Sequence, residues 1–225
     1  MMIPPKKLQF VEEKIKKECS CAGEGCSDCR SKTARVKAYA KAEIPMDYWF
    51  LSMKDFKGDQ NFKQYVIDNV LSDIKKVYEE GTSLAFVGNL GIGKTYAAVC
   101  ILKTALMSGF TSRYIYMSDI IQKSTENNSG IFEELTTVDF LVLDEYCDRY
   151  VFPSEKAEQL FGQTMERVLR HRLQNRMPTI LCSNTPELKD VLAGEFSRAV
   201  DSLFSRYVKT IYVSGKDYRK AHGKE

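Results

Sequence analysis

The stretch Gly88-Asn89-Leu90-Gly91-Ile92-Gly93-Lys94-Thr95 constrains this chain more than any other segment of it. It follows an apolar run, Ser83–Val87, and opens a helical pattern, Lys94–Ser108, that Gly109 closes. Strand, glycine-rich loop and helix in that order form a phosphate loop. The glycines let the backbone curl so that successive N–H groups point inward, and the helix N-terminus adds its partial positive charge. The spacing brings Lys94 within reach of β- and γ-phosphates and makes the Thr95 hydroxyl a ligand for Mg²⁺. Gly88, Asn89, Gly91, Ile92, Gly93 and Tyr96 complete the expected nucleotide contacts. The bland alternative, turn glycines without a ligand, fits the strand–loop–helix setting poorly.

A phosphate loop of this kind needs a sheet behind it, and the sequence offers one. Ser112–Met117, Phe140–Leu143, Thr179–Cys182 and Thr210–Val213 read as further strands. Ala157–Leu173 reads as a long amphipathic helix with Leu160, Phe161, Met165, Val168 and Leu169 on one side. Upstream, Phe62, Tyr65, Val66, Val70, Ile74 and Val77 recur at helical spacing, with Gly81 placed as a C-cap. Strands alternating with helices predict a three-layer α/β domain with a mainly parallel, five-stranded sheet. Ser124–Gly130 reads as a surface loop. At 225 residues the chain can build one substantial core and a small appendage. Runs such as Phe140–Leu143 are far too short to cross a bilayer, and the start meets charge before any apolar segment. The expected location is the cytoplasm, without a membrane partner.

The third strand ends in Asp144-Glu145, which puts two carboxylates at the edge where open α/β sheets bind ligands. Asp144 suits a direct or outer-sphere Mg²⁺ contact, and Glu145 suits polarisation of an attacking water. The strand Thr179–Cys182 runs into Ser183-Asn184-Thr185. Asn184 reads either as a γ-phosphate sensor or as part of a helix cap ahead of Pro186. Strand, acids, strand and polar sensor in this order point to an additional-strand ATPase. No guanine-recognition motif Asn/Thr-Lys-x-Asp occurs, so ATP is the expected nucleotide.

Residues 1–45 stand apart from the predicted ATPase domain, 46–225. Four of the seven cysteines lie here, as Cys19-x-Cys21-x₄-Cys26-x₂-Cys29. In a reducing compartment four thiolates so spaced read as a structural Zn²⁺ site, which supplies folding energy to a segment too short for its own core. Free thiols in an arm are the plainer alternative. The net charge of +3 is uneven: residues 1–45 and 196–225 each carry +4, and the middle carries −5. Basic ends permit contact with a polyanion without the excess of a dedicated nucleic-acid binder. Tyr114, Tyr116 and Lys123 are of the residue types that contact nucleic acid, although two aromatics on a strand more often fill a core.

Residues 44–222 resemble the DnaC/DnaI-type replicative helicase loaders and the related IstB transposition ATPases of the AAA+ class. The likeness rests on Ile44-Pro45, Tyr48-Trp49 and Asp55-Phe56-Lys57-Gly58-Asp59, then Gly88–Thr95, Val138–Asp144, Pro178–Asn184, Ser205-Arg206-Tyr207 and Gly215-Lys216-Asp217-Tyr218-Arg219. The resemblance implies an AAA+ core in a homo-oligomer with ATP at subunit junctions, acting on a replicative DNA helicase and single-stranded DNA. It implies Arg206 as an arginine finger in trans and Arg219 as a sensor. An IstB-like accessory ATPase on duplex DNA, or an adaptor with negligible hydrolysis, are the other functions it leaves open. Two departures stand out: Glu145 replaces a frequent second aspartate, and the N-terminal module is short. The compact length resembles a phage or mobile-element loader.

Overall fold

The computed structural model describes residues 4–21, 25–125, 130–146, 152, 154–185 and 194–218. It divides into two compact units, Met1–Leu51 and Ser52–Glu225. Residues 46–51, expected to be part of the ATPase domain, therefore belong to the first unit.

In that first unit, α1 (Pro5–Glu18) and α2 (Ser27–Lys41) pack as a helical hairpin. Pro5 opens α1, where a missing N–H costs nothing, and Lys16 and Lys17 complement the negative end of its dipole. Asp28 does the converse in the first turn of α2. Val11 and Ile15 of α1 and Cys29, Val36 and Tyr39 of α2 are buried, and Lys37 reaches Glu12 at 3.5 Å.

The second unit begins with α3 (Gln60–Val66), capped by Asp59, whose side chain accepts from Asn61 N and Phe62 N. The helical run expected through Val77 is interrupted: a π-helical turn, Ile67–Leu71, precedes α4 (Ile74–Glu80), which starts on its own Asp73 cap. Gly81 ends α4 at φ +65°. Then follow β1 (Ser83–Val87), α5 (Lys94–Met107), β2 (Ser112–Tyr116), α6 (Met117–Thr125), α7 (Gly130–Thr136), β3 (Phe140–Tyr146), α8 (Glu155–Gln174), β4 (Thr179–Ser183), α9 (Gly194–Tyr207) and β5 (Val208–Tyr212). Thr125 extends α6 and Gly130 opens α7, so the expected surface loop is helical at both ends. β3 runs on past Leu143 to carry both acids, and β5 starts two residues earlier than the apolar pattern implied.

The sheet order is β2-β3-β4-β1-β5, every pairing parallel. β4 stands between β1 and β3, so the phosphate-loop strand and the acid-bearing strand lie two strand spacings apart, about 10 Å. Side chains alternate across it. Ala85, Val87, Leu141, Leu143 and Leu181 join Met165, Val168, Leu169 and Val200 in one cluster beneath α6 to α9. Leu84, Phe86, Val142 and Ile180 are buried on the opposite face, where α5 packs and Phe62 meets Phe86 edge-on at 4.9 Å. No helix among the described residues is long and apolar enough to cross a membrane.

Candidate functional site

The loop after β1 adopts left-handed backbone at Gly91 (φ +76°) and Gly93 (φ +103°). A side chain at either position would collide with a neighbour. A Cβ on Gly93 would lie 2.4 Å from Phe56 Cε2, and one on Gly91 would lie 1.8 Å from Asp217 Oδ1. Phe56 and Asp217 come from the two motifs flanking the core in sequence, and both close on the phosphate loop. Tyr218 N donates to Gly91 O at 3.1 Å, and Ser214 Oγ donates to Asp59 Oδ2 at 3.1 Å. Ile92 is buried, which anchors the loop from within.

Lys94 is only 7% exposed, and its Nζ donates to Gly88 O (2.7 Å), Asn89 O (2.6 Å) and Asn184 Oδ1 (2.7 Å). Asn184 thus stands at the phosphate loop, while the neighbouring turn is closed by Thr185 N donating to Ser183 Oγ at 3.0 Å. Of the two readings of Asn184, the structure brings it to Lys94; Pro186, on which the cap reading rests, lies outside the described residues.

Thr95 Oγ1 donates to Asp144 Oδ1 at 3.2 Å, joining α5 to β3. Two oxygens on one octahedral Mg²⁺ at about 2.1 Å stand about 3 Å apart, so this pair fits neighbouring ligand positions. Asp144 is buried; its Oδ2 accepts from Tyr114 OH at 2.5 Å and its Oδ1 also accepts from Glu145 N at 2.9 Å. Burial pushes the Tyr114 hydroxyl far above its ordinary range, and the adjacent Asp144 charge adds to this. Burial likewise raises the Cys182 thiol, again with Asp144 nearby. Tyr114 is therefore a core residue tied to Asp144 rather than a nucleic-acid contact, and Lys123 pairs with Glu134 at 3.3 Å.

Glu145 follows in a β-bulge, where the β3–β4 register shifts between Leu143 and Tyr146. Its φ is +59°, an unusual conformation for a side-chain-bearing residue, and it turns the exposed side chain out of the strand's alternation. Tyr96 donates from its hydroxyl to Ser52 O at 2.8 Å, and burial pushes that hydroxyl up to about 12. It packs on Phe56, ring centroids 5.4 Å apart, and so ties α5 to the segment 52–56 of the same unit. Arg206 is exposed on the last turn of α9, its guanidinium 5.2 Å over the Tyr207 ring, outside the hydrogen bonds around Lys94 and Asp144. Arg219 lies outside the described residues. Sequence reasoning missed Tyr114 and the seating of Phe56 and Asp217. Only knowledge that β2 neighbours β3 could have flagged Tyr114.

In the other unit, the turn between α1 and α2 gathers the four cysteines. Cys19 Sγ and Cys26 Sγ are 3.3 Å apart, Cys21 and Cys29 3.6 Å, and Cys26 and Cys29 3.8 Å. All four sulfurs lie within 4.8 Å of one another. Sulfurs at about 2.3 Å from a tetrahedral Zn²⁺ are about 3.8 Å apart, so the cluster fits that ion. Cys26 is the N-cap of α2, and the helix's positive end favours thiolate there.

A family model described as IstB-like ATP binding protein matches residues 28–224. No protein of curated function matches the sequence. Among solved structures, DnaI is 19% identical with a TM-score of 0.57, over 77% of this chain and 93% of that one. The DnaC helicase loader is 18% identical with a TM-score of 0.53, over 76% of this chain and 100% of that one. A primosome component from Streptococcus pyogenes serotype M3 is 17% identical with a TM-score of 0.56, over 77% and 91% of the two chains. At such identities the likeness is one of fold, an AAA+-like α/β core.

Proposed function

From the premise that the chain belongs to the IstB-like ATP-binding protein family, we propose that it is an ATP-hydrolysing loader for a replicative DNA helicase, acting on single-stranded DNA. The observation that carries the ATPase half is the convergence on Lys94: one ammonium group links two phosphate-loop carbonyls to Asn184 at the end of β4. The loader half is supported by DnaI and DnaC, whose structures are matched over nearly their whole length.

In this reading the loop N–H groups between Gly88 and Thr95 hold the phosphates, and Lys94 exchanges its carbonyl partners for phosphate oxygens. Thr95 and Asp144 hold Mg²⁺, which neutralises charge on the phosphate oxygens when bound. Glu145, aimed out of the strand by its bulge, accepts the proton of the attacking water. Asn184 orients that water or senses the γ-phosphate. Arg206, exposed at the end of α9, completes the site of a neighbouring copy as a finger. The four cysteines hold a structural Zn²⁺ in the N-terminal unit.

Lys94→Ala removes the phosphate-loop cation, so a fluorescent ATP analogue should no longer bind in a fluorescence titration while circular dichroism stays unchanged; wild-type affinity would sink the site. The loader reading predicts that the host's replicative helicase co-purifies with the chain and that single-stranded DNA is preferred. A transposition role is favoured by the family model's IstB description, and predicts duplex preference without helicase capture.

A further inference from the structure

We propose that Tyr114 is the positioning residue of the metal site, its hydroxyl fixing the Asp144 carboxylate so that one oxygen faces Thr95; this rests on the Thr95–Asp144 pair being the Mg²⁺ site. The geometry is specific. β2 and β3 pair in parallel with Tyr114 opposite Val142 and Tyr116 opposite Asp144. Tyr114 and Asp144 thus point to the same sheet face, one two-residue step apart, about 6.6 Å along the strands. A tyrosine leaning along its strand spans that step, and its hydroxyl donates to Asp144 Oδ2. The other oxygen, Oδ1, accepts from Thr95 Oγ1 and Glu145 N. Together these donors hold both carboxylate oxygens in place.

A shorter or apolar residue at position 114 would leave Oδ2 without this donor in a position almost closed to water, since Asp144 is 4% exposed. The carboxylate would then rotate toward other donors and carry Oδ1 away from Thr95. Tyr116 packs edge-on against the Tyr114 ring, centroids 5.1 Å apart, so the phenol itself is held in place. Partners that orient a metal's carboxylate ligand typically contribute about 10- to 100-fold to metal affinity.

The test is Tyr114→Phe, which keeps the ring and its packing and deletes only the hydroxyl. Binding of a fluorescent ATP analogue is titrated in excess EDTA and then against Mg²⁺, with thermal melting followed in parallel. The expected result is wild-type affinity in EDTA and a Mg²⁺ midpoint raised about tenfold or more. Tyr116→Phe, the second variant, removes a hydroxyl bonded to that of Tyr114 and not to Asp144, so it should raise the midpoint less than Tyr114→Phe does. A shift in it as large as that of Tyr114→Phe overturns the proposal. An unchanged midpoint in Tyr114→Phe overturns the proposal. So does loss of binding in EDTA or loss of the folded state, either of which makes the hydroxyl a fold element instead. If wild-type binding does not respond to Mg²⁺ at all, the Thr95–Asp144 metal reading itself fails, which is a distinct result.

Discussion

Replacing Arg172 by Met should destabilise the second unit without harming the site around Lys94. Arg172 is fully buried on α8, and its five donors are all used. Nε donates to Thr179 Oγ1 (2.9 Å), Nη1 to Leu135 O and Val138 O (both 2.8 Å), and Nη2 to Asp139 O (3.1 Å) and Pro178 O (2.9 Å). One guanidinium therefore gathers the chain where it enters β3 and β4. Each buried polar atom left without a partner costs about 1–3 kcal/mol. Pro178 O retains Leu141 N at 3.1 Å, so the loss is smaller than five full penalties. Release of a buried charge offsets more of it, by several kcal/mol. The net expectation is about 3–5 kcal/mol, from several carbonyls left unpaired at about 1–3 kcal/mol each, less that offset. For a chain of this size that lowers the melting temperature by roughly 6–20 °C. Arg172→Lys keeps the charge but has one nitrogen where two planar branches are needed, so it should not restore stability. The assay is thermal unfolding by circular dichroism, with ATP-analogue titration at low temperature. Arg172 acts at the starting ends of β3 and β4, whereas Asp144 and Asn184 lie at their far ends, so affinity should hold. A Met variant melting within about 2 °C of wild type, or a Lys variant matching it, would refute the reasoning.

Glu145→Gln should bind ATP normally and lose turnover by about 100-fold or more, read by phosphate release. Gly93→Ala should weaken nucleotide binding, because its Cβ meets Phe56 Cε2 at 2.4 Å in a backbone conformation that alanine disfavours; equal affinity in titration would count against the loop geometry. The purified protein should carry about one zinc per chain, released by Cys26→Ser with Cys29→Ser and by acidification, because thiolates bind the metal only when deprotonated. Elemental analysis without zinc in fresh reduced protein rejects that site. Mixing inactive Lys94→Ala subunits with inactive Arg206→Ala subunits should restore ATPase activity if Arg206 acts across a junction, and should restore none if it does not.

The phosphate loop, the acid-ended strand and the strand–helix alternation were legible in the sequence because each is a local pattern. Glycines, a lysine and a hydroxyl must be contiguous to wrap a phosphate, and a buried strand must read as an apolar run. The cysteine spacing was legible for the same reason, and the helical hairpin brings those sulfurs together. What lay beyond the sequence are facts about neighbours distant in the chain. Strand order β2-β3-β4-β1-β5 decides that Tyr114 meets Asp144 and that Asn184 meets Lys94, ninety residues away. Phe56 and Asp217 were visible as parts of motifs, yet their seats against Gly93 and Gly91 depend on how both chain segments return to one loop. Arg172 looked like one more charge on an amphipathic helix. Its burial follows because the carbonyls around it converge only once β3 and β4 lie side by side, and a guanidinium there satisfies them when water cannot.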